Sequence, residues 1–364
     1  MPIGLLTDIA ASFHISEAAT GVMISVYAWG VMLLSLPLMV FASRFDLRRL
    51  LLAVIALFAC GQFLSAVAPT FPILVLARLV VAAAHAIFWS IASVMAARLV
   101  DVEHGALALS MIATGSSIAQ IFGLPLGRAI GLAVGWRMTF CVVGAVSAGI
   151  LVYQAVVFPV MPAGERFTLG QLPSLLRNRV LLALYAVTIF MSCSYYVGYS
   201  YIEPFLQQVA HLDAAVITMA LTVFGFAGLL GSVSFSRFFD GHRFGFLFSM
   251  IGGLALSLLL MQAASFSLAS VFALCVLWGL CATAFNVAFQ AEVISFTQAS
   301  ASAVAMSIFS GLFNLGIGCG TAIGGAVVSQ GAIASIGYVG AGIGAVGVIC
   351  TVAWLFPAIR RTRG

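Results

Sequence analysis

The sequence predicts an all-α integral membrane protein, a bundle of about eleven transmembrane helices in the chain as given, and three observations predict it. Hydrophobic residues make up 63% of the 364 and charged residues 7%, where a soluble domain carries about a quarter charged. The mean hydropathy of +1.20 leaves too little polar surface to cover a water-soluble protein of this size. The apolar residues also come in runs, and a run of about 20 crosses the ~30 Å hydrocarbon core as a helix. Lipid satisfies no backbone amide, so only helices and closed barrels span it. Barrel strands alternate over about ten residues, whereas these runs are long and uniformly apolar.

Taken in order, the runs predict spans at 18–42, 50–68, 73–99, 106–131, 138–160, 180–203, 215–235, 245–264, 268–291, 303–328 and 336–356. Most connections are short, for example Pro69-Thr-Phe-Pro72. The longest, 161–179, carries Arg166, Arg177 and Arg179 and reads as a linker between an N-terminal bundle (1–160) and a C-terminal six-helix bundle (180–364).

All basic residues are Arg. Arg44, Arg48, Arg49, Arg98, Arg166, Arg177, Arg179, Arg237, Arg243, Arg360, Arg361 and Arg363 fall on one side of the bundle. The positive-inside rule makes that side, and the C-terminus, cytoplasmic. Asp8, Glu17 and Asp213 lie in the opposite loops, and an odd number of spans puts Met1 outside. A pI near 9.0 could suggest nucleic acid, but these Arg sit between apolar runs rather than in a patch, so no nucleic-acid partner is expected. Seven Cys lie inside apolar segments with no Cys-x-x-Cys pair, so neither a metal site nor a disulfide framework is expected. Met1 to Ala10 lacks the basic start and long apolar core of a cleavable signal. No paired-aspartate, His-Glu-x-x-His or nucleophile-elbow motif stands at a membrane face, which argues against an enzyme. No cofactor is expected.

The chain repeats internally. Phe13-His-Ile-Ser-Glu-Ala-Ala19 resembles Ala210-His-Leu-Asp-Ala-Ala215, an offset of 197 from His14 to His211. Ser43-Arg-Phe-Asp46 resembles Ser236-Arg-Phe-Phe-Asp240, and Thr114-Gly115 resembles Ser310-Gly311. Such repeats build transporters from two related halves around a site near the bilayer midplane. On this register, span 180–203 has only Pro2-Ile-Gly-Leu-Leu-Thr-Asp8 as its counterpart. Such a stretch is too short to cross a bilayer, so the first half is expected to hold five full spans and to lack most of a first helix.

Several positions carry candidate chemistry. Span 106–131 reads Gly115-x7-Gly123-Leu-Pro125-Leu-Gly127-Arg128, where small residues permit close helix packing and Pro125 kinks the helix. Arg78, inside span 73–99, must face protein or a wet cavity, since Arg costs ~2.5–3.5 kcal/mol at a helix centre. Snorkelling to the surface is its rival reading. His85, Phe88 and Trp89 share one helix face, as either a packed aromatic face or a cavity wall with a group that titrates near neutral pH. Tyr195 and Tyr199 are spaced i, i+4 with Glu203 following, either as an interfacial belt or as a cavity wall ending in a carboxylate able to bind a proton. Gln120, Asn286, Gln290 and Asn314 are intramembrane amides, serving as helix glue worth ~0.6 kcal/mol each or as hydroxyl partners. Glu292, near a helix end, is expected to reach the cytoplasmic surface.

Together these residues resemble a known family. The stretches PIGLLTDIAASFH, HAIFWSI, IATG followed by GLPLGR, GWRMTF, YSYIEPF, FSGLFNLGIG and IGYVGA resemble bacterial sugar efflux transporters of the SotB type. These belong to the drug/proton antiporter branch of the major facilitator superfamily. The resemblance implies the major facilitator fold, two pseudo-symmetric helical bundles, and proton-driven export of sugars such as arabinose across the bacterial inner membrane by a monomer. It makes Gly123, Pro125, Gly127 and Arg128 the antiporter motif and Arg78 the buried Arg of the exporter signature. It also makes Arg44, Asp46 and Arg48 a degenerate form of the loop signature Gly-x3-Asp-Arg-x-Gly-Arg-Arg, with Ser43 in place of its acid.

The expected function is sugar export by proton antiport and alternating access. Substrate would meet His85, Phe88, Trp89, Gln120, Tyr195, Tyr199, Asn286 and Asn314, and coupling would run through Glu203, His85 and Arg78. A multidrug/proton antiporter of the same branch and an inactive truncated transporter are the alternative readings.

Overall fold

A computed structural model describes residues 2–42, 45–99, 101, 105–161, 172–298 and 301–363. Arg44, the side chain of Gln120 and most of the expected linker lie outside the described residues. The described chain is helical: α1 (Leu6–Phe13), α2 (Glu17–Ala42), α3 (Leu47–Val67), α4 (Phe71–Arg98), α5 (Gly105–Val134), α6 (Trp136–Val157), α7 (Leu172–Arg177) and α8 (Arg179–Tyr199). It continues through α9 (Ile202–Gln208), α10 (Ala214–Phe238), α11 (Arg243–Leu259), α12 (Met261–Ala264), α13 (Leu268–Ser295), α14 (Ser302–Ser329) and α15 (Ile336–Cys350). A π-helical segment, Thr351–Leu355, leads into α16 (Phe356–Arg363).

Among the described residues, nine helices are long and apolar enough to cross a membrane. The other two predicted spans correspond to α5, whose apolar described part is Phe122–Val134, and to the shorter α11. Short polar residues start the helices by occupying free N-terminal amides. Asp46 accepts from the Arg49 amide at 2.9 Å, Asn178 from Val180 at 3.0 Å and Asp213 from Val216 at 2.9 Å. At the other end of α8, Pro204 would clash with the carbonyl four residues back in a continuous helix, so α8 stops at Tyr199 and α9 starts afresh.

The sequence repeat is written into the backbone. His14 (φ 55°) and His211 (φ 53°) are the non-glycine residues in left-handed conformation among those described, and they occupy equivalent repeat positions. Gly135 (φ 91°) and Gly331 (φ 72°) mark a second such pair, after α5 and α14. Thus α1 followed by α2 answers α9 followed by α10, and the α5–α6 junction answers α14–α15.

Within the first half α2 packs on α4, and α3 on α4 and α6; within the second, α8 packs on α14 and α15, and α10 on α13. The halves meet along α2–α14 and α5–α10. Glycines let these helices approach backbone to backbone. A Cβ on Gly320 would strike the Cys193 backbone of α8, and one on Gly318 would strike the Trp29 indole of α2.

Glu292 departs from expectation. It does not reach a surface: it is fully buried, and Arg243 from α11 grips both its oxygens through Nε and Nη2. The same guanidinium lies over the Phe296 ring. Spacing from a helix end could not reveal a partner on another helix. Arg243→Ala would strand the carboxylate, a change that costs ~3–5 kcal/mol. A clear fall in the unfolding midpoint of the purified protein is expected, with Glu292→Gln costing less; equal midpoints for wild type and Arg243→Ala would refute this account.

Candidate functional site

The ends of the helices define two faces, one rich in Arg (the α3, α8 and α11 starts) and one poor in Arg (the α2 and α10 starts). The side-chain hydrogen bonds and ion pairs seen between the halves gather at the Arg-poor end. Glu203, 2% exposed on α9, receives Arg128 Nη1 of α5 at 3.0 Å on one oxygen. Its other oxygen accepts from the Thr7 amide at 3.2 Å and the Thr7 hydroxyl at 3.1 Å. Arg128 Nη1 also donates to the Gly4 carbonyl at 2.6 Å. Further out, Gln208 donates to both oxygens of Glu17 at 2.8 and 2.9 Å. Just outside this seal a cavity of about 470 Å³ opens between the halves, lined by Thr7, Ser16, Glu17, Gln208 and Ser329 among others.

Local sequence explains the seal. The chain breaks at Ser200–Tyr201 because of Pro204, and the Ser200 and Thr321 hydroxyls pair at 2.7 Å to pin the break to α14. Tyr201, fully buried, donates to the Thr321 carbonyl at 3.1 Å. On α5, the Gly127 carbonyl, one residue before Arg128, accepts from the Thr139 hydroxyl of α6 at 3.0 Å. Among the described residues, a Cβ on Gly123 would meet nothing within 4 Å.

Within the second half lies a cluster of rings. Tyr195 and Tyr199 stack at 4.7 Å, Tyr199 stacks on Phe224 at 5.3 Å, and Trp278 meets all three edge-on. Tyr196 lies against Phe313 at 6.4 Å, and Tyr27 stands on α2 in the other half. There the Tyr27 hydroxyl pairs with His85 Nδ1 at 2.6 Å, and Trp89 lies beside the imidazole with Phe88 against it. So α8, α10, α13 and α14 share a group of rings in the second half, and α2 and α4 share Tyr27, His85 and Trp89 in the first. Among the described residues the buried Trp278 indole N–H has no acceptor.

The spacing argument for 85/88/89 therefore describes one face, as expected, and Tyr195 and Tyr199 do face together. Glu203 parts from them: it joins Arg128, beyond the helix break. Arg78 is buried within the first half, near Gln62 Oε1 (3.5 Å) and over the Phe140 ring (5.1 Å). Asn286 accepts from Gln290, and Asn314, buried on α14, donates to the Ser310 carbonyl of its own helix at 2.9 Å. Asp46 caps α3, and Arg48 donates to the Ala155 carbonyl at 2.6 Å, where α6 ends. A cation there satisfies a free carbonyl and faces the negative helix terminus. Sequence reasoning missed Tyr27, Tyr196, Phe224, Trp278, Thr7 and Gln208. A hydroxyl in the middle of an apolar run was the available signal for Tyr27.

Comparison with known proteins agrees with this architecture. The family model described as Major Facilitator Superfamily matches residues 1–240 and 189–364. A "Probable sugar efflux transporter" of Mannheimia succiniciproducens is 40% identical over 349 residues, covering 96% of this chain and 88% of the relative. Among solved structures, the nucleoside transporter NupG is similar at a TM-score of 0.76 and 15% identity, over 97% of this chain and 94% of that one. A bacterial homologue of the human lysosomal transporter Spinster, in an inward-facing and unoccupied conformation, is similar at 0.71 and 18%, over 99% and 92%. At such identities the solved structures speak to the fold alone. With two related helical halves, a polar seal at one end and family matches spanning the sequence, the chain belongs to the major facilitator superfamily, as a multi-pass membrane transporter rather than an enzyme.

Proposed function

We propose that this protein exports sugars, arabinose-like sugars or sugar-like inducers, by proton antiport and alternating access across the bacterial inner membrane. The Arg-rich end and the C-terminus face the cytoplasm, and the monomer is the working unit. The halves 1–160 and 180–364 rock about the central rings, with 161–179 as the cytoplasmic linker.

One observation carries the reading: Glu203 is a buried carboxylate shared across the two halves by Arg128 and Thr7. A carboxylate whose partners sit on the opposite half loses them when the halves part, and its proton affinity then changes with conformation. That links proton binding to access. His85, hydrogen-bonded to Tyr27, offers a second exchangeable site near the rings, and Arg78 supplies a fixed positive charge in the first half. Aromatic faces, chiefly Tyr195, Tyr199, Phe88 and Trp89, would stack on the apolar faces of a sugar. Asn286, Asn314 and Gln120 would meet its hydroxyls, and the unpaired Trp278 N–H is a further donor for them. The relative's name supports sugar as the cargo.

Uptake of labelled arabinose into everted membrane vesicles, with and without an inside-acid gradient, tests this. Wild type should accumulate sugar only with the gradient, and Glu203→Gln should lose gradient-driven uptake while remaining folded in the membrane. Normal uptake by Glu203→Gln would remove Glu203 from the mechanism. The aromatic character of the central cluster favours a second reading, export of apolar drugs by the same cycle. Drug resistance without sugar uptake would select it.

A further inference from the structure

At the Arg-rich end, where α8 begins and α16 ends, a cavity of about 270 Å³ opens between Arg179, Ala353, Trp354, Pro357, Arg361 and Thr362. It is remote from the rings and from the Glu203 seal. Two guanidiniums border it, and no lining residue is acidic. Among the described residues neither guanidinium has a hydrogen-bond or ion-pair partner. Three other Arg at this end are occupied, Arg48 by the Ala155 carbonyl, Arg243 by Glu292 and Arg360 by the Phe244 ring, while Arg49, Arg177 and Arg237 are exposed and do not border this cavity. The rest of the lining is apolar or small. Trp354, 42% exposed, lies in the π-helical segment, a distortion that recurs at functional sites.

These features suit one ligand chemistry. Guanidinium groups bind phosphate oxygens in a planar fork, and indole rings favour the level where headgroups meet acyl chains. Basic pockets between transmembrane helices on this side of a bilayer bind anionic headgroups. A zwitterionic headgroup would bring an ammonium group to a slot that holds two positive charges and no carboxylate. We propose that this slot holds the headgroup phosphate of an anionic phospholipid, with Arg179 and Arg361 on the phosphate and Trp354 against the glycerol and first acyl carbons. The lipid ties the first helix of the second half to the C-terminal helix.

The test compares thermal unfolding of the purified full chain in detergent with added dioleoylphosphatidylglycerol, dioleoylphosphatidylcholine or inorganic phosphate. The expected result is a rise in midpoint with phosphatidylglycerol alone, weakened by salt. Arg179→Gln with Arg361→Gln should abolish the rise, each single variant should reduce it, and Arg237→Gln, an exposed Arg at the same end, should leave it intact. An equal rise with phosphatidylcholine, a full rise with phosphate alone, or a rise that survives in the double variant would each overturn the assignment. The lipid comparison in wild type stands even if the double variant does not fold.

Discussion

Arg128→Ala is expected to open the Arg-poor end. In the sealed form Glu203 is almost fully buried and its carboxylate has Arg128 as its counter-charge. Removing one partner of a buried pair strands the other charge at a cost of ~3–5 kcal/mol. That shifts a two-state equilibrium at least about a hundredfold away from the sealed form. Only the sealed form bears the cost, because separation of the halves lets water reach the carboxylate. Hydrogen–deuterium exchange over α9 reports this directly, and its amides should exchange faster in Arg128→Ala than in wild type. Glu203→Gln added to Arg128→Ala removes the stranded charge and should restore much of the protection. Protection that is unchanged in Arg128→Ala, or that does not recover in the double variant, would mean the ion pair does not hold the seal.

How much of this was legible in the sequence depends on the range of the interaction. The spans were legible because lipid imposes length and hydropathy run by run, and the eleven predicted segments correspond to α2 through α6 and α8 through the α15–α16 run. The repeat was legible too, and its clearest sequence pair, His14 and His211, is where the backbone turns left-handed in both halves. Faces set by helix periodicity survived, as Tyr195 with Tyr199 and His85 with Trp89 show.

Partnerships between distant helices were not legible. Glu203 followed the tyrosines in sequence, yet Pro204 breaks the helix before it and its partners lie on α5 and at Thr7, just inside α1. Glu292 looked like a surface acid because its Arg is on another helix. Asn314 and the Asn286–Gln290 pair satisfy their donors locally, which no spacing rule distinguishes from facing a ligand. Arg128 was singled out as the end of a glycine motif. Its role in the seal rests on a carboxylate 75 residues away in sequence, from Arg128 to Glu203.

Gly21→Ala should impair closure by steric means, without touching any charge. Gly21, on α2, faces the fully buried Tyr201, which also abuts Gly324 and Gly325 of α14. A Cβ at position 21 would fall inside the van der Waals radius of the Tyr201 hydroxyl and 2.8 Å from the ring carbon bearing it. Tyr201 cannot simply retreat, since its hydroxyl is held by the Thr321 carbonyl and its ring by glycines that permit no slack. Overpacking of this kind costs ~1–3 kcal/mol, and here the cost falls on the sealed form, in which α2 meets α9 and α14. Transport should drop because that form is one end of the cycle, whereas the folded halves, each with its own core, should persist. Tyr201→Phe in the Gly21→Ala background removes the worst contact and should restore part of the rate, a coupling expected of side chains in contact. Gly115→Ala serves as the control, since a Cβ there meets nothing within 4 Å among the described residues. Vesicle uptake rates for wild type and the three variants decide the matter. If Gly115→Ala is as slow as Gly21→Ala, or if Tyr201→Phe brings no recovery, close packing at Gly21 is not what closes the Arg-poor end.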